Sequence, residues 1–500
     1  MPACKELKYP TVFRRPQVLS RFSFAISHII NCCLLFCDTS VHRSPAVGFG
    51  ALYGQATNGA IGTVEMVGST ALCGVIYALT AAQPLTIIGS TGPVLSFVVC
   101  LAQMAKSLNL PFLPLYAWTG LWTSGILMAS SLTSASNLVK YLTRFTDEIF
   151  SMLISVIFVV EAVSPVMASF SGPLSKALLT LTCAASTFTL ASVTKKVRNT
   201  TFFTKPVRNA ISNFGPPSAV IAVSMFAKWA KLKYGVAQAA LPALAMPATF
   251  STTTGRPWLV PIFDLPVWAR WAACLPALMA TVLLFLDQNI TVRLVNNARF
   301  KMKKGRRENN VLDGMHADMF VVAILTAFQS LVGIPWLVAA TVRSLSHVSA
   351  LSKFNSKGEI VGTMEQRVTG AGIHALIGAS ILFNKPRQLL AQVPMPVLLG
   401  LFMYLGISAL PGNEMWERTV DLFRDRKAAP QQRWSNKVPN AVTRTFTLVQ
   451  LACLGLMFGV KESKYGVLFP VVVAMLAPIR FALEKSNMVE KKHMDVLDEE

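Results

Sequence analysis

The chain is poor in charge. Asp, Glu, Lys and Arg make up 14% of its 500 residues, against about 25% in ordinary soluble proteins. Hydrophobic residues make up 53%, and the mean hydropathy is +0.50. That shortage of charge argues against a soluble globular protein and for a membrane protein. Linkers are also missing: no Pro/Ser/Gly-rich stretch or low-complexity tract divides the chain, so one membrane domain is expected to fill most of it. The nine cysteines (4, 32, 33, 37, 73, 100, 183, 274 and 453) lie mostly in apolar stretches without metal-ligand spacing. Buried free thiols are the expectation, and no redox compartment follows. There is no phosphate loop, metal-ligand cluster or nucleophile-with-base arrangement, so an enzyme is not expected. The first 21 residues carry Lys5, Lys8, Arg14, Arg15 and Arg21 and are too polar for a cleaved signal peptide.

A helix needs about 20 mostly apolar residues to cross a bilayer. Fourteen candidates are predicted, at 22–53, 61–82, 84–105, 113–136, 147–168, 173–194, 209–229, 270–292, 316–334, 337–351, 367–384, 389–410, 441–460 and 464–484. They divide the chain into a short N-terminus (1–21), a transporter domain (22–484) and a C-terminal tail (485–500). The stretch 412–424 reads as an amphipathic interfacial helix. A net charge of +22 raises the possibility of nucleic-acid binding, but its distribution points elsewhere. With both ends placed in the cytoplasm, 33 of the 46 Lys and Arg fall inside and 12 outside, with Arg343 left within a span. That is the positive-inside bias of a multi-pass protein, with no nucleic-acid partner and the lipid bilayer as its surroundings.

Ionisable groups inside spans are candidates for function by default. Glu65, Glu161, Asp287 and Arg343 stand out, and His28, His347 and His374 lie in apolar stretches. For Glu65 and Glu161, packing or interhelical hydrogen bonding is the favoured reading, and for His347 a core role. Asp287 lies in LLFLDQNIT with Thr291 one helical turn later, on the same face. Together they offer oxygen ligands to a small cation such as sodium, or a proton-exchanging group; a structural hydrogen bond is the alternative. Arg343 lies in GIPWLVAATVRSLSHVSAL, where Pro335 points to a half-helix starting in mid-membrane, with Arg343 two turns along. The dipole of such a helix and the guanidinium both attract anions; the alternative is a structural partner for Asp287. QPLTIIGSTGPVLSF, from Gln83 to Phe97, is interrupted by Gly89, Gly92 and Pro93 and carries the Ser90 and Thr91 hydroxyls. Irregular backbone at membrane depth is tolerated where it lines a cavity or is buried in protein. The third and tenth spans occupy equivalent places in two halves of seven, as in inverted-repeat transporters.

At this point the sequence resembles the bicarbonate transporters, the family of anion exchangers and sodium–bicarbonate cotransporters. The similar stretches are QPLTIIGSTGPVL (83–95), RFTDEIFSMLISVIFVVEA (144–162), LPALMATVLLFLDQNIT (275–291), GIPWLVAATVRSLSHVSAL (333–351), EQRVTG (365–370) and PMPVLLGLFMYLGISAL (394–410). The resemblance implies an all-α membrane fold of fourteen spans in two inverted repeats, with core and gate domains, usually as a homodimer. It also implies an anion site between the third and tenth helices, faced by the eighth. Thr91, Gly92 and Pro93 then lie on one side, Val338, Ala339, Ala340 and Thr341 on the other, with Asp287 and Thr291 facing them. Phe49 and Gly50, in GFGAL, look like the family's loop at the end of the first helix.

The chain departs from the family in three ways. The large cytoplasmic domain that precedes the membrane part of animal members is missing from it. Residues 22–44, with the polar run from Asp38 to Arg43, fit the first helix poorly. The site also mixes types: Asp287 resembles sodium-coupled members, and Arg343 resembles exchangers. Borate exporters are relatives too, but their tenth-helix region is richer in Pro and Ser than VAATVRSLSHV. The expectation is a secondary bicarbonate or carbonate transporter in the plasma membrane, with sodium as a possible coupling ion. A sodium-independent anion exchanger or borate exporter is the alternative, ahead of a non-transporting scaffold.

Overall fold

The computed structural model describes residues 46–133, 143–234, 241–302 except 245 and 248, 312–354, 360–424, and 432–498 except 433, 436, 464–465 and 487–488. The poorly fitting stretch 22–44 and the N-terminus 1–21 lie outside the described residues.

The described residues are mostly helical, which satisfies backbone polar groups that have no water to bond in a bilayer. In order, the helices are α1 (46–56), α2 (Thr63–Thr80), α3 (Gly92–Ser107), α4 (Phe112–Leu132), α5 (Arg144–Ala168), α6 (Leu174–Lys196) and α7 (Lys205–Tyr234). After a loop come α8 (Val267–Ala272), α9 (Cys274–Val295), α10 (Leu312–Val332), α11 (Thr341–Leu351), α12 (Val368–Leu382), α13 (Asn384–Ala391) and α14 (Met395–Ala409). The chain closes with α15 (Glu414–Asp421), α16 (Asn440–Glu462), α17 (Phe469–Ala474), α18 (Leu476–Lys485) and α19 (Lys491–Asp498). Among the described residues, six helices are long and apolar enough to cross a membrane, or eight if each of two bent pairs counts as one span. Phe49 and Gly50, expected in a loop, are helical. A side chain on Gly50 would run into the Thr63 backbone, so its lack of one lets α1 pack tightly on the start of α2.

Helix pairing shows how the chain is built twice. If α2, α3, α4, α5, α6 and α7 correspond in order to α10, α11, α12, α14, α16 and α17–α18, each major contact should map onto another. They do: α2 packs on α12 and α10 on α4. α6 packs on α14 and α16 on α5, while α6–α7 matches α16–α17 and α5–α14 maps onto itself. One body therefore holds α2–α4 and α9–α12, and the other holds α5–α7, α14 and α16.

The two interrupted segments meet where this symmetry predicts. After a turn at residues 84–85, residues 86–91, like residues 334–340, are not helical, and the two segments carry two-residue strands, β1 (Ile88–Gly89) and β2 (Val338–Ala339). These pair antiparallel, with Ile88 opposite Ala339 and Gly89 opposite Val338. Each strand leads straight into a helix N-terminus, α3 or α11. At 1.5 Å per residue these helices run about 24 Å and about 16 Å, short of the roughly 30 Å hydrocarbon core. They are half-spans whose first turns begin inside the protein. The half-helix expected from Pro335 thus begins later, at Thr341, because residues 334–340 are held extended by the strand pairing. Arg343 consequently sits in the first turn of α11, not two turns along.

Two peripheral features also differ in detail from the sequence reading. α15 leaves the end of α14 at 82° and tucks Met415 and Arg418 inward, which suits the amphipathic reading of 412–424. Part of the stretch expected as a tail forms α19, which docks by capping: Asp498 Oδ1 accepts from Phe145 N at the start of α5 (2.7 Å), and Oδ2 accepts from Arg480 Nε (2.7 Å). In the loop before α8, Arg256 donates to the carbonyls of Ala60, Val332 and Gly333. Burial holds that guanidinium below its usual pKa, opposed by Glu65.

Candidate functional site

The strand crossing is secured from several sides. Ala340 N donates to Ile87 O (2.9 Å), and the Ser344 hydroxyl accepts from Ile87 N (3.0 Å). Gln288 on α9 accepts from Ala339 N (2.8 Å) through Oε1, and its Nε2 donates to the Tyr77 hydroxyl (2.9 Å). Tyr116 on α4 donates to Ile334 O (2.9 Å) and accepts from Trp336 N (3.1 Å), and its ring stacks on Trp336 at 4.3 Å. Asp318 on α10 accepts from Ala82 N (2.6 Å) and, at 3.4 Å, from Gln83 N. Extended backbone buried in this way needs a partner for each polar group, and these side chains supply them.

The structure brings all ten residues singled out from the sequence to this crossing. Thr91 is the N-cap of α3, followed by Gly92 and Pro93 in the first turn, where proline's missing N–H is no loss. Val338 and Ala339 form β2, Ala340 is the N-cap of α11, and Thr341 begins that helix. Asp287 and Thr291 reach across from α9. The Thr91 hydroxyl donates to Asp287 Oδ2 (2.5 Å), while Asp287 Oδ1 has no hydrogen-bond partner among the described residues. The Thr291 hydroxyl donates to Ala339 O (3.2 Å) and shares a hydrogen bond with Thr341 Oγ1 (2.6 Å). Arg343 is 7% exposed, and its Nη2 donates to Ser90 O (2.7 Å).

Asp287 and Arg343 are not ion-paired. Asp287 is tied to Thr91 and Arg343 to the neighbouring residue's carbonyl. Among the described residues Arg343 has no carboxylate partner, and that one bond uses only one of its several N–H donors. The guanidinium also fixes its surroundings: a Cβ on Gly89 would strike Arg343, so the glycine lets the arginine lie flat on β1.

Glu65, Glu161 and His347 have structural partners, and His28 lies outside the described residues. Glu65 accepts from Gly62 N (2.9 Å), Thr253 N (2.8 Å) and the Thr253 hydroxyl (2.5 Å). Glu161 is bridged by Lys461 at 3.4 Å. Both ring nitrogens of buried His347 are hydrogen-bonded, to Leu85 O and the Thr369 hydroxyl. Sequence reasoning missed Asp318, although it lies within the predicted span 316–334, and it missed Gln288 and Tyr116. Their partners are 236, 51 and 218 residues away, so no local pattern marks them. The intramembrane carboxylate rule would have flagged Asp318.

This is a multi-pass membrane protein whose two interrupted helices cross beside a buried carboxylate and a buried arginine. The family profile described as HCO3- transporter integral membrane domain matches residues 16–176 and 171–500, and the chain belongs to that family. It is 32% identical over 496 residues to mouse (Mus musculus) band 3 anion transport protein, covering 93% of this chain and 52% of that protein. It is 33% identical over 546 residues to rat (Rattus norvegicus) sodium bicarbonate cotransporter 3, covering 93% and 43%. The chain thus spans about half the length of the curated relatives it matches. Among solved structures, the transmembrane domain of the cyanobacterial bicarbonate transporter BicA shares the fold, with a TM-score of 0.53 and 15% identity over 84% of this chain and 97% of that one. SLC26A9 shares it too, with a TM-score of 0.57 and 11% identity over 96% and 73%.

Proposed function

We propose that the chain is a secondary active transporter of bicarbonate or carbonate, working by alternating access. The observation that carries this reading is Arg343: a buried guanidinium with no carboxylate partner among the described residues, in the first turn of one half-helix and beside the N-cap of the other. Two helix N-termini and a full positive charge converge on one buried point, which favours a small anion. The relatives' names, an anion transport protein and a sodium bicarbonate cotransporter, support the same class of cargo.

Asp287 gives the reading its second half. Its Oδ1, unpartnered among the described residues, and the Thr291 hydroxyl one helical turn along α9 would supply hard oxygen ligands for sodium once a bound anion has offset Arg343. Sodium is cargo on this reading, driving the anion. The alternative is sodium-independent exchange, or borate export, with Asp287 serving protons or structure; the exchanger-like Arg343 favours it. The proposed arrangement is fourteen spans with both ends in the cytoplasm, as a homodimer in the plasma membrane.

The test is uptake of labelled bicarbonate into vesicles containing the purified chain. Saturable uptake above protein-free vesicles is expected. Uptake equal to protein-free vesicles under both a sodium gradient and an anion gradient would overturn the transport reading.

A further inference from the structure

The first turn of α5 is a junction that the reading above does not use. Its own N-cap, Thr143, makes no side-chain capping bond, and the Thr143 hydroxyl has no hydrogen-bond partner among the described residues. The first N–H groups of a helix need acceptors from outside it, and here one comes from 353 positions away. Asp498 on α19 accepts from Phe145 N through Oδ1 (2.7 Å) and from Arg480 Nε on α18 through Oδ2 (2.7 Å). Val489, Met494 and Leu497 seat this segment, buried in the same apolar core as Phe145. Two residues after Phe145, Asp147 pairs with Arg293 at the end of α9, the helix that carries Asp287. Asp147 thus ties the body of α5 to the body that holds the site, and the turn that presents Asp147 is capped by α19.

We propose that Asp498 is a positioning residue for transport and α19 a detachable strap: docked, it holds the start of α5 so that Asp147 meets Arg293, and undocked, it releases that tie between the bodies. The inference rests on the transport reading given above. A helix of eight residues is not stable on its own, so α19 is helical only while docked, and its docking and folding are one event. Order–disorder steps of this kind are a recurrent switching element. When the strap leaves, Phe145 N loses its acceptor, the end of α5 frays, and Asp147 is no longer fixed opposite Arg293. Arg144 and Glu148 in the same stretch are held separately, by Glu414 and Arg418 of α15. The rest of α5 therefore stays in place, and only the presentation of Asp147 loosens. The strap touches neither Arg343 nor Asp287, so it acts on the rate of motion between the bodies and not on affinity for the anion.

The experiment uses the full chain in vesicles, with labelled bicarbonate uptake and hydrogen exchange at the start of α5 as its two readouts. Asp498→Ala removes both bonds of the cap. It is expected to lower the maximal uptake rate about three- to tenfold, with the half-saturating bicarbonate concentration unmoved and the Phe145 amide exchanging faster. Met494→Ala, which loosens the seat of α19 without touching the cap, is expected to act in the same direction and guards against a folding defect in the first variant. In an Arg293→Gln background nothing is left to position, so Asp498→Ala should change the rate by about twofold at most. A wild-type rate in both variants would overturn the proposal, as would a loss that adds in full to that of Arg293→Gln. Failure of the transport reading is distinguishable: the wild type would then take up no bicarbonate, whereas the Phe145 amide would still exchange faster in the variants.

Discussion

At the residue scale, Arg343 combines burial, charge and incomplete bonding. If an anion sits about 6 Å from it, at an effective dielectric near 20 the attraction is on the order of 2–3 kcal/mol. Arg343→Leu is therefore expected to raise the half-saturating bicarbonate concentration by a factor of tens or more, measured as uptake against concentration. An unchanged value would mean that the guanidinium serves only to fasten Ser90. Gly89→Ala is expected to act through the same group, because the added methyl runs into the guanidinium. It should weaken bicarbonate uptake at subsaturating concentration by about tenfold or more, with normal amounts of folded protein in the membrane. The sequence made Arg343 conspicuous, since a lone arginine in an apolar run is rare. It gave no sign that Gly89 and Arg343 touch, because they lie 254 positions apart and nothing local couples them.

At the element scale, the interruptions were legible and their shape was not. Gly92-Pro93 and Pro335 mark breaks in otherwise apolar runs, as helix-breaking chemistry requires. The strands that fill the breaks are two residues long, too short for any alternating pattern to show. That is why the start of α11 moved from Pro335 to Thr341. A second element-scale feature bridges the two bodies: Arg293, at the C-terminal end of α9, pairs with Asp147 in the first turn of α5. Arg293 lies on the same helix as Asp287, about 9 Å further along its axis. The bond therefore ties the site-bearing helix to the neighbouring body on one side of the site. Nearby Glu148 is held by Arg418 and, at 3.0 Å, by Arg144, which keeps α5 and α15 together. Arg293→Asp and Asp147→Arg are each expected to lower transport, and the double swap to recover much of it. A double-mutant cycle on uptake rate should return a coupling of about 1–2 kcal/mol; additive losses would mean that the pair does not constrain the motion.

At the scale of the whole molecule, a chain built twice places two half-helix N-termini against each other and lets one carboxylate and one arginine share the crossing without pairing. Composition and the positive-inside pattern made the membrane class plain, and the paired interruptions pointed to the repeat. Which contacts map onto which could be seen only once the helices were packed, since α2–α12 and α4–α10 join opposite halves of the chain. The balance of charge at the crossing decides coupling. With no anion bound, Arg343 and the helix dipoles make the cavity positive and oppose sodium. On the proposed reading, bound bicarbonate would offset Arg343 and leave Asp287 free to hold the cation, so each ion would strengthen binding of the other. Sodium is therefore expected to stimulate bicarbonate uptake at fixed pH and bicarbonate when compared with a large organic cation. Asp287→Asn should abolish that stimulation and cut transport strongly. The amide oxygen can still accept from the Thr91 hydroxyl, so the fold should survive and surface amounts stay normal. Equal uptake in the two media by the wild type would exclude sodium coupling and assign the protein to anion exchange. The same charge argument would then leave Arg343 as the centre of the site and Asp287 as a proton carrier or a brace for Thr91.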